Sequence, residues 1–565
     1  MTASITIRCC ICLLIASLCG AAQQEQTPQH QHYEKPPAEA DQPGPEGQLA
    51  PRLQNLGDHT FPVTTRSELA QLFINQGINL AYGFNHAEAA RAFREAARLD
   101  PDCAMAYWGN ALVLGPNINA PMNPDDEPKA LELVQQALAR RDQASERERA
   151  YIEALARRYS GKAEDRAARD QAYANAMRDL HLRYPGDLDA ATLFAEALMD
   201  LSPWNYWTRD GKAYPGTGEI VGVLEMVLER NPNHPGANHY YIHAMEPTHP
   251  ERAEAAADRL LGLMPGAGHM VHMPSHIFIR VGRYADAAES NRRAILADED
   301  YITQCRAQGI YPLSYYPHNI HFLWAAATME GRSAEAIEAA RKTAGSIPPE
   351  SLESLPFLQG FLVVPYYALT RFGKWNDILQ QPAPSYDSLF TRGIWNYARG
   401  AALIGTGRLD EAAQELEKLQ AIVANKELAE VPASFSANSA LDILRIAPEV
   451  LAGELAARRG DFDRAIAHLE RAVRYEDALI YTEPADWHYP VRQSLGAVLL
   501  QAGRADEAEV IYWEDLRRNP GNGWSLFGLT ESLRAQEKSD QAAQADKRFR
   551  KAWLNADIQL TASRF

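Results

Sequence analysis

Cysteine is scarce once the first twenty residues are set aside. The chain has 565 residues and six cysteines, and four of these lie at the N-terminus, which leaves Cys103 and Cys305 in the rest of the sequence. Two thiols are too few for a disulfide-stapled scaffold, and the sequence leaves open whether they pair. They also argue against a cysteine-rich zinc site.

Positive charge and long hydrophobic runs are also in short supply. Lys and Arg total 56 against 73 Asp and Glu, which gives a formal net charge of −17. Such a surface repels phosphate backbones and anionic lipid, so we expect no nucleic-acid partner. Beyond the N-terminus no stretch approaches the roughly 18 apolar residues that a membrane-spanning helix needs. We therefore expect no membrane span.

Common catalytic motifs and strand patterns are missing as well. Beyond the first twenty residues, the sequence contains no GxSxG, no HExxH, no CxxC and no phosphate-binding glycine loop, which are the short signatures of several enzyme classes. It also shows no convincing alternation of apolar and polar residues. The sequence therefore predicts no particular reaction, and whether the protein is an enzyme stays open at this stage.

Residues 1–22 have the composition of a secretory signal peptide. Arg8 precedes the apolar run ICLLIASL, and the small residues Gly20, Ala21 and Ala22 follow it. Removal of this segment on export predicts a periplasmic or secreted protein. The alternative is a lipid anchor at Cys19, for which the preceding leucine is larger than usual.

Residues 23–60 form a segment rich in Gln, Pro, Glu and His. It has too few apolar residues to offset the entropy of ordering the chain. The composition therefore predicts a disordered linker.

From residue 66 onwards the chain consists of alanine-rich segments with a helical period, separated by Gly, Asn-Pro and Pro-Gly. This pattern predicts an all-α body. The segment FINQGINLAYGFNHAEAARAFREAARLDP shows a spacing that recurs twice near the C-terminus. Its small, large and proline positions are Phe73, Gly77, Leu80, Ala89, Phe93, Ala96 and Pro101, then Gly453, Ala465, Leu469 and Ala472, then Gly496, Ala508, Tyr512 and Pro520.

This spacing resembles that of the tetratricopeptide (TPR) repeat family, here of a secreted bacterial type. The resemblance implies a right-handed α-solenoid of TPR-like helical hairpins. We assign N-terminal repeats to residues 66–230, central histidine-rich repeats to 231–348 and C-terminal repeats to 349–560. The resemblance also implies a concave groove that binds a protein or peptide partner.

Nine of the sixteen histidines crowd into residues 234–321. His234 and His249 stand beside prolines and are interpreted as turn residues. The resemblance to TPR repeats implies that the other seven histidines occupy positions facing the groove. For His239 and His243, this requires one extra residue in the loop that follows them. Their four-residue spacing puts His239 above His243 on one helical face.

Seven imidazoles in this register predict a transition-metal site. Unmetallated, they would repel each other as they protonated near pH 6.5, at a cost with no evident benefit. The alternative is a neutral hydrogen-bonded ladder for an anionic or aromatic ligand. The candidate ligands are His239, His243, His269, His272, His276, His318, His321 and Glu246.

Copper and zinc are the favoured ions, because imidazole suits both. Glu246 lies three residues after His243, so a two-histidine, one-carboxylate site for iron is an alternative. Glu246 is equally compatible with capping the helix end or with holding a histidine ligand in place.

These observations predict an exported TPR-repeat protein whose groove binds a transition metal. It would act as a metalloenzyme or as a metal carrier. The alternative function is a non-catalytic TPR scaffold that binds a protein or peptide partner.

Overall fold

A computed structural model describes residues 47–305, 310–434 and 437–565. The predicted signal peptide, and the predicted linker up to residue 46, lie outside these residues. The α-helices are, in chain order, α1 (Glu68–Tyr82), α2 (His86–Leu99), α3 (Ala104–Leu112), α4 (Glu127–Ala139), α5 (Glu146–Leu155), α6 (Arg166–Arg183), α7 (Leu188–Met199), α8 (Thr217–Arg230), α9 (Pro235–Met245), α10 (Glu254–Leu263), α11 (Gly268–His272), α12 (Pro274–Arg280), α13 (Tyr284–Cys305), α14 (Ile310–Met329), α15 (Ser333–Gly345), α16 (Ser351–Ser354), α17 (Gln359–Leu362), α18 (Val364–Arg371), α19 (Trp375–Gln380), α20 (Leu389–Gly405), α21 (Leu409–Val423), α22 (Ala440–Leu444), α23 (Ile446–Arg458), α24 (Phe462–Ala478), α25 (Val491–Gln501), α26 (Ala505–Arg518), α27 (Gly523–Ala535) and α28 (Ser539–Ala552).

The predicted all-α fold is confirmed, since the described ranges hold only isolated β-bridges besides helices and turns. Helices that follow one another in sequence pack together as hairpins. Examples are α1 with α2, α20 with α21, α23 with α24, α25 with α26, and α27 with α28. Each hairpin buries its apolar stripe against the next one, which is how a helical-repeat solenoid forms a continuous core. The protein is therefore a TPR-like α-solenoid.

The repeated spacing of small and large residues within a hairpin has a direct steric cause. A Cβ atom added at Gly77 would lie 2.7 Å from the ring of Phe93, and one added at Gly496 would lie 2.5 Å from the ring of Tyr512. Separations below 3.0 Å do not occur between real Cβ atoms and their neighbours. The glycine of the first helix thus makes room for the aromatic residue of the second.

Ala89 gives a test of this packing. It is fully buried in α2, so Ala89→Arg forces a charge into the helix seam and we expect it to lower the free energy of unfolding by about 2–3 kcal/mol. Ala87 is exposed on the same helix, and Ala87→Arg should change that free energy by less than about 0.5 kcal/mol. Urea unfolding followed by circular dichroism measures both. Equal effects of the two variants would contradict the seam assignment.

Residues 47–60 belong to the folded body, so the predicted linker boundary at residue 60 is wrong. The backbone N–H of Leu53 donates to Oε1 of Gln76 at 2.9 Å. The backbone N–H of Gly266 donates to the carbonyl of Asn55 at 2.8 Å, and Leu56 is buried. Composition missed this because a few leucines in a Pro- and Gln-rich stretch are enough to hold it against helices formed elsewhere.

The C-terminal hairpins fold back onto the central helices. The indole Nε1 of Trp524 donates to the carbonyl of Thr328 at 2.9 Å. The carboxylate of Asp557 accepts from the backbone N–H of Ser333 at 2.7 Å, at the start of α15. As a result, the loop between α24 and α25 reaches the central histidines, where Glu483 contacts His276.

The two cysteines of the body are buried and free. Burial raises the pKa of the Cys103 thiol to about 11, so it is protonated and unreactive at neutral pH. Among the described residues, no helix combines the length and apolar character required to cross a membrane.

Glu476, near the end of α24, should make the protein less stable as pH rises. Burial raises the pKa of Glu476 to about 8, so the folded protein binds a proton that the unfolded chain has already released above about pH 4.5. Stability is therefore lost as pH rises from about 4.5 to about 8. The backbone N–H of Val491 donates to Oε2 of Glu476 at 3.0 Å. Glu476→Gln keeps a side-chain oxygen that can accept this hydrogen bond.

We expect Glu476→Gln to be more stable than the wild type at pH 9 by about 1–3 kcal/mol, and this difference should shrink at about pH 4. Urea unfolding at the two pH values measures it. Glu470 is exposed on the same helix, and Glu470→Gln should show no such pH dependence. A constant difference between the Glu476 variant and the wild type would show that this carboxyl is not the titrating group.

Candidate metal centre

Six of the seven predicted histidines meet in the interior as two adjacent groups of three. The first triad is His239, His243 and His269, and the second triad is His272, His276 and His318. Within each triad, one nitrogen from every ring lies within 4.8 Å of the other two. The two triads adjoin, because the ring centroids of His269 and His272 are 5.9 Å apart.

Local helix geometry explains much of this arrangement. In α9, His239 and His243 are one turn apart, and their ring centroids are 4.8 Å from each other. Pro274 begins α12 one residue after α11 ends, because proline suits the first position of a helix and cannot extend a preceding one. This break separates His272 in α11 from His276 in α12.

Two imidazoles of the first triad are oriented by hydrogen bonds to their outer nitrogens. Nδ1 of His239 donates to the carbonyl of Tyr82 at 2.6 Å. Nδ1 of His243 donates to Oε1 of Glu246 at 2.9 Å. A proton on Nδ1 leaves a lone pair on Nε2, so these contacts fix the tautomer in which Nε2 is a ligand.

The inner nitrogens of the first triad have no hydrogen-bond partner among the described residues. These are Nε2 of His239, Nε2 of His243 and both ring nitrogens of His269. His239 and His243 are at most 1% exposed and His269 is 3% exposed. A buried acceptor without a partner loses its hydrogen bond to water and gains nothing in return. One nitrogen from each of the three rings lies close to the other two. Together the three lone pairs can bind a single cation.

Burial keeps the first triad neutral. It lowers the pKa of His239 and His269 well below the usual histidine value, and it lowers the pKa of His243 as well. The neighbouring imidazoles lower the pKa of His239 and His269 further, because a second positive charge would be repelled. Neutral imidazole is the form that binds metal.

The second triad contains a hydrogen bond between two of its members. Nε2 of His272 and Nε2 of His276 are 2.9 Å apart. Nδ1 of His272 donates to Oδ1 of Asn291 at 2.7 Å, which leaves Nε2 of His272 as the acceptor. His318 lies beside them, with its ring centroid 4.8 Å from that of His272.

Glu246 contacts one histidine of each triad at its outer ring nitrogen. Its Oε1 accepts from Nδ1 of His243, and its Oε2 lies 2.5 Å from Nδ1 of His276. Burial opposes a negative charge on Glu246, but the charge of His276 and the hydrogen bond from His243 lower the pKa of this carboxyl. Glu483 lies 3.3 Å from Nδ1 of His276 and adds to the same contact. Nothing in the local sequence could have identified Glu483, because it is more than 200 residues away.

Two aromatic residues in strained backbone conformations cover the first triad. Phe84 has φ of 58° and Trp204 has φ of 63°, a left-handed region that bulky residues seldom adopt. The ring of Phe84 lies 4.6 Å from that of His239, and the ring of Trp204 lies 5.0 Å from that of His243. Such strain is typical of functional sites, where the surrounding structure holds a side chain in place.

The second triad is covered by Phe322. Its ring centroid is 4.7 Å from that of His272, 4.6 Å from that of His276 and 5.2 Å from that of His318. Tyr315 packs on the first triad, with its ring 4.8 Å from that of His269. Apolar and aromatic walls of this kind exclude water and strengthen the electrostatic interactions inside.

His321 lies outside both triads. Its ring stacks on Trp324 at 5.0 Å and meets the edge of Phe361 at 5.6 Å. Burial lowers the pKa of His321 to about 3, so it is a neutral core residue. Of the six clustered imidazoles, five are buried and that of His318 is half-buried, whereas the repeat register predicted rings that face an open groove.

A third group of histidines is held together by hydrogen bonds. Oδ1 of Asp189 accepts from the hydroxyl of Tyr82 at 2.6 Å and lies 2.9 Å from Nε2 of His59 and 3.3 Å from Nε2 of His234. Nδ1 of His234 accepts from the backbone N–H of Ala237 and caps α9, as expected for a turn residue. These ring nitrogens are engaged within the protein, unlike the inner nitrogens of the first triad.

No protein-family model matches this sequence, and no curated protein matches it.

Several solved structures resemble the fold at low identity. The human IFIT1 dimer with m7Gppp-AAAA is 12% identical over 86% of this chain and 91% of that chain, with a TM-score of 0.31. Yeast Tom70 is 12% identical over 86% and 91%, with a TM-score of 0.27. The TPR domain of P58(IPK) is 14% identical over 84% and 99%, with a TM-score of 0.22. These scores are low, and the description as a TPR-like solenoid depends on the helical hairpins of this chain.

Proposed function

We propose that the protein binds two transition-metal ions, one in each histidine triad. The observation that carries the proposal is the convergence, in the first triad, of three buried imidazoles whose inner nitrogens have no hydrogen-bond partner among the described residues. A cation bound by these lone pairs would replace the interactions lost on burial. Two of the three rings are already oriented for it by Tyr82 and Glu246. An ion in the second triad would displace the proton between Nε2 of His272 and Nε2 of His276.

The ligand type supports copper first and zinc second. Both ions are bound well by imidazole, and sites built of nitrogen generally bind Cu²⁺ more tightly than Zn²⁺. A two-histidine, one-carboxylate iron site receives less support, because the Glu246 carboxylate contacts the outer nitrogens of His243 and His276. In that position it would orient the imidazoles and raise their basicity.

Three protein ligands leave a coordination position for a small molecule. A cavity of about 10 Å³ borders the first triad and is lined by His269, Tyr311 and Gly268 among others. This space is close to the size of a single water molecule. It supports an ion that carries one water, and it gives no room beside His269 for a large substrate.

A scaffold for a protein or peptide partner is the second candidate function. The TPR-like hairpins favour it, because helical repeats commonly present extended binding surfaces. Five of the six clustered histidines would not form that surface, since they are buried, and His318 is half-buried. Export of the protein would follow from residues 1–22, which lie outside the described residues.

Metal content separates the two functions. We expect protein that is purified, incubated with Cu²⁺ and dialysed to retain two copper ions per chain by elemental analysis. Zinc offered alone should also fill the triads, and copper should displace it. Retention of less than half an ion per chain with both metals would overturn the proposal and leave the scaffold function.

A further inference from the structure

A second enclosed site lies in the C-terminal half of the protein. A cavity of about 140 Å³ lies between α18, α20, α23 and α25 and is closed by the last residues of the chain. Its lining combines apolar walls with three arginines, Arg371, Arg458 and Arg564. Phe565 lines it too and is 42% exposed, which places one edge of the cavity at the protein surface.

Arg371 is a buried cation without a carboxylate partner. It ends α18 and is 3% exposed. Its guanidinium carbon lies 3.5 Å from the ring centroid of Trp524 and 4.7 Å from that of Tyr489. Nη2 donates to the side-chain oxygen of Gln493, whereas Nε has no acceptor among the described residues. No described carboxylate lies within 4.0 Å of it, although a buried charge normally requires a pair.

The rest of the lining does not balance this charge. Glu454 is the only acidic side chain among the lining residues. Its carboxylate lies 2.9 Å from Nη1 of Arg564, so its charge is already paired. Burial raises the pKa of Glu454. The cavity therefore has an excess of positive charge surrounded by low-dielectric walls, an arrangement that concentrates anions.

We propose that this cavity binds a small organic carboxylate. The planar guanidinium of Arg371 matches the two oxygens of a carboxylate, which is the geometry that arginine recognises best. The walls suit an apolar body, since Tyr397, Ile404, Val450 and Leu451 line the same space. This site is separate from the histidine triads and does not depend on metal binding.

Benzoate is a suitable probe, and benzamide is its neutral counterpart. Isothermal titration calorimetry of the full-length protein at low ionic strength should show saturable binding of benzoate at one site. Arg371→Met should weaken this binding at least tenfold. Arg392 is an exposed arginine of α20 outside the cavity, and Arg392→Met should leave binding unchanged. Benzamide should bind at least tenfold more weakly than benzoate.

Glu454→Gln keeps the proposal testable if Arg371→Met fails to fold. This change removes the competing negative charge and frees Arg564, so benzoate should bind several-fold more tightly. The proposal is overturned if the wild type shows no saturable binding at millimolar benzoate. It is also overturned if Glu454→Gln weakens binding or if benzamide binds as well as benzoate.

Discussion

Alanine at position 269 is expected to leave the protein with one bound metal ion per chain instead of two. His269 supplies the only ring of the first triad whose two nitrogens both lack a hydrogen-bond partner among the described residues. Its removal leaves His239 and His243 as a two-ligand site, which binds an ion far more weakly than three ligands do. Elemental analysis after dialysis against a weak chelator measures the loss.

His321→Ala is the matched control for this variant. His321 lies on α14 near the second triad, but its ring stacks on Trp324 and meets Phe361 edge-on. We therefore expect both metal ions to remain in this variant, with helical circular dichroism close to that of the wild type. A protein that keeps two ions without His269, or that loses one without His321, would show that the first triad is wrongly assigned.

Glutamine at position 246 is expected to weaken both metal sites together. Glu246 is fully buried, and its two oxygens contact Nδ1 of His243 and Nδ1 of His276. A glutamine amide keeps the shape but has only one acceptor oxygen, so at most one of the two imidazoles keeps its present contact. Loss of such a partner typically costs 10–100-fold in metal affinity. Competition with a chromogenic chelator should show this loss for both ions.

Glu251→Gln provides the control for the change in charge. Glu251 is exposed and lies five residues after Glu246, so its replacement removes the same charge without touching a triad. We expect metal affinity to change less than twofold. An equal loss in the two variants would indicate a general electrostatic effect, and a loss confined to one ion in the Glu246 variant would show that this carboxylate supports a single triad.

The helical hairpins could be predicted from the sequence because their signals are local. The distance between Gly77 and Phe93 along the chain fixes which side chains meet when two helices pack in a hairpin, and the structure brings these two together. The four-residue spacing of His239 and His243 likewise fixed a shared face. The break between α11 and α12 is local too, because Pro274 has no amide hydrogen with which to extend the preceding helix.

The division into two triads could not be predicted in the same way. The repeat register placed all seven imidazoles toward one groove, whereas the structure divides six of them between two triads and assigns His321 to neither. The register describes positions on ideal repeats. Here α11 is only five residues long, so the direction of each imidazole depends on how α11 and α12 pack against α9 and α14.

The sequence by itself determined the all-α hairpins, the concentration of histidines in the central repeats and the helix break at Pro274. Periodicity, glycine and proline act over a few residues, so their effects can be read along the chain. Only the tertiary structure decided which imidazoles meet and which groups lie behind them. Phe84 and Glu483 reach the triads across many hairpins, and their positions depend on packing angles that accumulate from one hairpin to the next. No local sequence pattern specifies these accumulated packing angles.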